Sequence, residues 1–358
     1  MIELIVPPLQ RWLLYSGTIL VAGITAWRLF IAPGAAAQLD ADGPRRIGAL
    51  EGRVARIGGW VVLALLPVWG LRLYVQLLGF RDPFAPLSED LAYLVFETFW
   101  GSVWMGQGGV IVALAGIFLW ISRHPPDRIP ARVPWGTTPA PPSLPRRWKL
   151  AGAGVLLLAL TLALSSHAMS VPSNRPLAVG LDAAHILAAG SWIGTLALIL
   201  MLRDRGWRPA RESGVTPATM PPSESASGPD FRSTSGPAAE SASGPSILAA
   251  QLRAFSPVAM VSVGVLLFAG FILSTQHVGT WSNLWGSQYG RTLLLKVGVT
   301  LGVLALGALN WRKGLPVLNS PEGAARTRRR AWTEVGLAAL VLVVTAVLTG
   351  TSMPEGLH

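Results

Sequence analysis

Eight apolar runs separated by polar connections set the pattern of the chain: 9–31, 57–80, 91–121, 148–166, 178–202, 254–276, 291–311 and 331–351. About 20 helical residues cross the roughly 30 Å hydrocarbon core of a bilayer. The pattern therefore predicts an all-α polytopic membrane protein, a bundle of eight transmembrane helices. The third run is longer than one crossing needs and is expected to tilt or to extend past the interface. The first run opens MIELIVPPLQ, with no basic n-region and Glu3 as its only early charge, so it is expected to stay as a membrane helix.

The polar connections give an orientation. Those after runs one, three, five and seven, together with Lys149 at the start of the fourth run, hold 22 Lys and Arg, whereas the opposite side, termini included, holds 2, Arg81 and Arg175. By the positive-inside rule the basic side is cytoplasmic and both termini are extracytoplasmic. Trp148, Trp311 and Trp332 at cytoplasmic helix ends, and Trp12, Trp281 and Trp285 near the outer face, are expected as interfacial anchors; helix packing explains any single one equally well. Gly101, Gly106, Gly108, Gly109 and Gly116 permit close helix approach.

Residues 206–247 break the pattern. They are rich in Pro, Ser, Gly and Ala and repeat ESASGP at 224–229 and 240–245. Such a segment buries too little apolar surface to offset its ordering entropy, and a disordered cytoplasmic linker is expected. The Pro-rich connection 124–145 is expected to behave similarly. The chain thus divides into spans one to three with their loops (1–146), spans four and five (147–205), the linker (206–247) and the last three spans (248–358).

Composition agrees and narrows the chemistry. The chain is 51% hydrophobic and 13% charged, with a mean hydropathy of +0.48, against about 25% charged residues in soluble domains. Its net charge of +11 lies in the connections between apolar runs, where it suits anionic lipid headgroups rather than nucleic acid. With no cysteine, disulfides, thiolate sites and Cys nucleophiles are excluded. A soft metal would have to be held by Met sulfur and His nitrogen. No nucleotide loop, HExxH, serine elbow or CxxC motif is present, and no enzymatic activity is expected.

The fifth run carries the candidate chemistry. Asp182 and His185 lie inside it, and an acid at mid-bilayer costs about 2.5–3.5 kcal/mol on insertion scales, so such residues are usually kept for a task. On a helix Asp182, His185, Ala189 and Trp192 fall along one stripe, expected to face protein. His167, His277 and His358 sit at outer ends with Met169 and Met353, and only His124 is cytoplasmic. Imidazole with thioether is a copper ligand set, the thioether favouring Cu(I). The candidate site is His167, His185 and Met169, with Asp182 as the acceptor orienting the His185 ring. His277 and Met353 are more remote candidates. The plainer alternative makes His185 a satisfied intramembrane hydrogen-bonder and His167 an interfacial residue.

Other polar residues in the spans have simpler expectations. Arg72 and Glu97 are expected to pair across the second and third helices, and Lys296 to snorkel outward. Glu334 either receives an ion leaving inward or pairs with Arg330, four residues earlier.

Several motifs of the second half form an ordered set. They are SSHAM at 165–169, D-x-x-H-x6-W-x-G from Asp182 to Gly194, F-S-P at 255–257, Y-G-R-x-x-x-x-K from Tyr289 to Lys296, a span ending in Asn310, and a last span opening with Glu334. In order and spacing they resemble the CopD (copper resistance D) family of bacterial inner-membrane proteins. The resemblance covers nearly all of 165–351 apart from the linker, whereas the first four spans share hydropathy and few motif residues. It implies an eight-helix protein that takes copper across the cytoplasmic membrane, often with a periplasmic copper-binding partner. Since neither end shows a fused copper-binding β-domain, a separate partner is expected to deliver the ion. The resemblance carries His167, Asp182 and His185 as leading site residues, with Tyr289, Lys296, Asn310 and Glu334 as further motif residues.

The expected route runs from His167 and Met169 at the outer face, past His185, to the basic side. Because imidazole must be neutral to ligate, copper binding should weaken below about pH 6.5. Two rival readings share the same residues. In one, a b-type cytochrome uses His167 and His185 as axial haem ligands; in the other, an assembly factor hands copper to a respiratory oxidase.

Overall fold

The computed structural model describes residues 2–124, 145–166, 169, 174–202, 246–278 and 281–351. The expected linker and most of the 124–145 connection lie outside them, as do His167, Met353 and His358. The described residues form helices and no strand. In chain order these are α1 (Ile2–Ala26), α2 (Ala32–Ala37), α3 (Gly43–Phe80), α4 (Leu87–Ala92), α5 (Phe99–Arg123), α6 (Arg146–Ala163), α7 (Arg175–Ala189), α8 (Thr195–Met201), α9 (Ile247–Val278), α10 (Trp281–Gly286), α11 (Gln288–Leu309) and α12 (Pro321–Leu348).

Seven helical stretches among the described residues are long and apolar enough to cross a membrane: Ile5–Ala37, Gly43–Phe80, Phe99–Arg123, Arg175–Met201, Ile247–Gln276, Gln288–Val317 and Glu322–Leu348. The remaining expected span, 148–166, falls on α6, whose 18 residues begin with Arg146, Arg147 and Lys149. Its apolar face (Ala151, Val155, Leu158 and Leu162) is buried in the bundle core.

At the centre stands α1, which packs on α3, α6, α12 and the α7–α8 region. In its most apolar stretch 72% of residues are buried, against 11% for Ile247–Gln276 and for Gln288–Val317. The last helices thus keep broad apolar faces for lipid, whereas the first is wrapped by protein. Small residues make the wrapping possible. A Cβ on Gly23 would lie 2.1 Å from the Gly194 carbonyl carbon, and one on Gly194 would lie 2.1 Å from the Ile19 carbonyl oxygen. The Thr195 hydroxyl then donates to the Gly23 carbonyl at 3.1 Å across this contact.

The third run is broken rather than tilted. At Thr98 the backbone turns extended (φ −101°, ψ 150°), separating a π-turn at Tyr93–Glu97 from α5. Thr98 caps α5 by accepting from the Gly101 amide at 2.9 Å, while its hydroxyl donates to the Leu94 carbonyl at 2.6 Å. Glu97 is left exposed, and the expected Arg72–Glu97 pair does not form. Arg72 instead donates to Gln107 (2.7 Å) and Ser165 (2.6 Å) and lies over the Trp100 ring.

Residues flanking the first, third, fifth and seventh connections meet at one end of the bundle. Arg147 contacts Glu51 and the His124 carbonyl, Arg253 donates to Asn319 at 2.7 Å, and Arg328 donates to the Leu200 carbonyl at 3.0 Å. Just inside this end lies a polar cluster that the hydropathy pattern does not reveal. A π-turn at Trp27–Ile31 continues α1, and from it Arg28 pairs with Glu51 at 2.6 Å, both almost fully buried. The other Glu51 oxygen accepts from the Trp148 indole at 2.7 Å, and Trp27 donates to Gln251 at 2.7 Å. Trp148 is therefore a core residue, not the expected interfacial anchor, whereas Trp311, Trp332 and Trp285 are exposed as anchors should be.

Candidate ion pathway

The site begins with a gap. Helix α9 packs on α7 and α2, and α11 packs on α12. The space between α9 and α11 is occupied by two cavities. The smaller, about 120 Å³, is lined by His185, Lys296 and Thr300, and the larger, about 410 Å³, by Glu334, Asn310 and Ser256. Trp192, Val263 and Leu304 line both and form the partition. Together the two trace a broken path toward the cation-rich end.

The expected stripe on the fifth run is partly realised. His185 and Trp192 face the same small cavity, as their spacing predicts. Between them the helix changes register at a π-turn, Gly190–Gly194. A π-turn holds one residue more than an α-turn and recurs at functional positions. Here it is packed closely on α1, for a Cβ on Gly190 would lie 2.4 Å from that of Ala22. It carries Trp192 inward. Asn310 likewise opens a π-turn, Asn310–Gly314.

His185 packs over Gly270 of α9, where a Cβ would stand 3.5 Å from its Cε1. Its Nδ1 is buried and has no hydrogen-bond partner among the described residues. The hydrogen-bonding capacity of one imidazole nitrogen is thus unused among the described residues. Asp182, one turn away, accepts from the Ser166 hydroxyl at 2.7 Å. Lys296 lines the His185 cavity and lies within electrostatic reach of Asp182, so its head is turned toward the site rather than snorkelling outward. Met169 packs on the small-residue cluster of α6 and α7 that includes Val179 and Ala183. His277 belongs to α9, and its side chain is not among those described.

In the larger cavity Glu334 is 3% exposed. Its Oε1 accepts from the Trp192 indole at 3.1 Å and its Oε2 from Asn310 Nδ2 at 2.9 Å. It forms no ion pair with Arg330 among the described residues. Two motif residues, Trp192 and Asn310, thus converge on the carboxyl of a third, which their separate positions in the sequence do not show. Phe255 of the F-S-P motif lines the same cavity. Tyr289 packs with Leu293 and Leu348 where α11 meets α12 and does not line either cavity.

No group of three or more His, Asp or Glu side chains converges as a metal cage among the described residues. The arrangement is a line of separated polar stations within apolar walls.

Residues 249–348 match the family of copper resistance protein D, CopD. Tyr289, Lys296, Asn310 and Glu334 lie inside that match, and Asp182 and His185 outside it. The chain is also similar to the copper transport protein CutJ of Bacillus subtilis (strain 168), at 28% identity over 352 residues, which is 96% of this chain and 52% of CutJ. It therefore spans about half the length of the curated relative it matches. No solved structure matches. The likeness to CopD proteins carried by the motifs is thus met twice, by the family match over residues 249–348 and by similarity to a copper transport protein along nearly the whole of this multi-pass inner-membrane chain.

Proposed function

We propose that the chain imports copper across the bacterial cytoplasmic membrane, with the ion as cargo rather than as a resident cofactor. The observation that carries this reading is His185, which lines a cavity between α9 and α11 and whose buried Nδ1 has no hydrogen-bond partner among the described residues. Copper would reach it from His167 and Met169 at the outer end, supplied by a periplasmic copper-binding partner. Asp182 offsets the charge of the arriving cation, and neutral imidazole with thioether suits Cu(I). The ion would then pass Trp192 into the larger cavity and leave at the cation-rich end, taken as cytoplasmic by the positive-inside rule.

The test is copper accumulation in a strain lacking other importers. His185→Ala should reduce uptake to the level of the empty strain, and the purified variant should bind less copper than the parent. Uptake equal to that of the parent would remove His185 from the route. A Soret band in the purified protein would replace the copper reading with the haem one, and normal cytoplasmic copper with loss of oxidase activity would replace it with the assembly-factor one.

A further inference from the structure

The transport reading leaves the buried acid of the larger cavity, Glu334, without a role. We propose that Glu334 is a proton-binding station, with Asn310 and Trp192 as its partners, and that it exchanges its proton against the charge of the ion crossing the larger cavity. The exchange rests on the transport reading; the proton site does not.

An ionised carboxyl at this depth is costly unless a cation or a proton accompanies it. No fixed cation does so among the described residues. Facing Glu334 are Trp192 from the π-turn after α7, Gly307 from α11, Asn310 from the π-turn that follows it, Ser256 and Met260 from α9, and Thr327 from its own helix, all uncharged. The nearby basic groups point elsewhere. Arg328 is held on the Leu200 carbonyl, and Arg312 and Lys313 are exposed at the rim. Arg330 makes no ion pair with Glu334, and Lys296 lies beyond the Trp192 partition. From the other elements packed against α12, α8 contributes no charged residue, and Arg11 of α1 lies at the opposite end, beside Gly350.

The neighbourhood fits both forms of the acid. In the charged form Oε2 accepts from Asn310 Nδ2 while Asn310 Oδ1, buried, has no partner. A half-turn of the amide brings Oδ1 to the same place, where a carboxylic O–H donates to it. The Trp192 indole donates to Oε1 in either form. One rotation of one neutral side chain therefore satisfies whichever form is present. The charge balance is simple: the neutral acid and an entering monovalent copper ion become a carboxylate beside that ion, and the proton leaves through cavity water. No electron is transferred.

Two measurements on the full chain in proteoliposomes test this separately. Without copper, infrared difference spectra between acidic and alkaline buffer should contain a carboxylic C=O band that Glu334→Gln removes and Asn310→Ala shifts. With copper, a pH-sensitive dye should report proton release from the parent, several-fold less from Glu334→Gln, and recovery with Glu334→Asp. Identical infrared spectra for the parent and a monodisperse Glu334→Gln protein would overturn the proton site. Equal proton release by the two would overturn the exchange. A Glu334 band in a protein that moves no copper would defeat the transport reading and leave the proton site standing.

Discussion

Two buried carboxyls, Glu51 and Glu334, face opposite fates in the same bundle. Each accepts an indole N–H on one oxygen, from Trp148 at 2.7 Å and from Trp192 at 3.1 Å. They differ in their other neighbours: the Arg147 guanidinium stands 3.8 Å from that same Glu51 oxygen, and the second oxygen has a different partner in each. Glu51 meets the Arg28 guanidinium, whereas Glu334 meets the Asn310 amide. A buried ion pair fixes the charge state of both its members and ties the π-turn after α1 to α3 and α6. An amide fixes nothing, because it can donate or accept. With a cavity of about 410 Å³ alongside, Glu334 also has the room that Glu51 lacks. Exchanging a cation for an amide turns a strut into a site that can change state.

The largest test removes the counter-charge from one side of the comparison. Glu51→Gln strands a buried guanidinium and should cost roughly 3–5 kcal/mol, read as loss of unfolding midpoint in detergent. Glu334→Gln, a neutral isostere among neutral partners, should cost about 1 kcal/mol or less. Equal losses would erase the distinction. Next, Gly194→Ala forces a methyl against the Ile19 carbonyl and should cost about 1–3 kcal/mol through overpacking. Because it displaces the turn that aims Trp192, it should also lower copper uptake; an intact transport rate in a destabilised variant would separate the turn from the route. Trp148→Phe leaves a Glu51 oxygen short of a donor in a dry site, about 1–3 kcal/mol. A smaller effect than for Trp148→Phe is expected from Trp192→Phe, about 0.5–1.5 kcal/mol, since cavity water can replace the indole. A Trp192→Phe loss larger than that of Trp148→Phe would mean that the Glu334 side is the drier one.

What the chain discloses by itself follows from range. Hydropathy acts over windows of twenty residues, and seven of the eight runs it marks fall on helices long and apolar enough to cross a membrane. The Asp182–His185–Trp192 spacing is local, and it places His185 and Trp192 at one cavity. The Glu51 cluster escapes such reading because its members are 23 and 97 residues apart, and because Trp148, beside three basic residues at a helix start, has the signature of an interfacial anchor. The break at Thr98 is hidden since one polar residue barely changes the mean of an apolar window. Likewise the π-turns pass unseen, as five residues are too few to separate their period from that of an α-helix. The gap between α9 and α11 leaves no trace, for apolar side chains read alike whether they meet protein, lipid or an empty space.

The shared wall of the two cavities has a mechanical consequence. Val263, Leu304 and Trp192 bound both chambers, and α11 is packed along α12 as a hairpin. Were that hairpin to slide away from α9, both chambers would open together and the membrane would leak. Tilting about Leu304 would instead enlarge one chamber at the expense of the other, so a rigid lever would keep the two from opening at once.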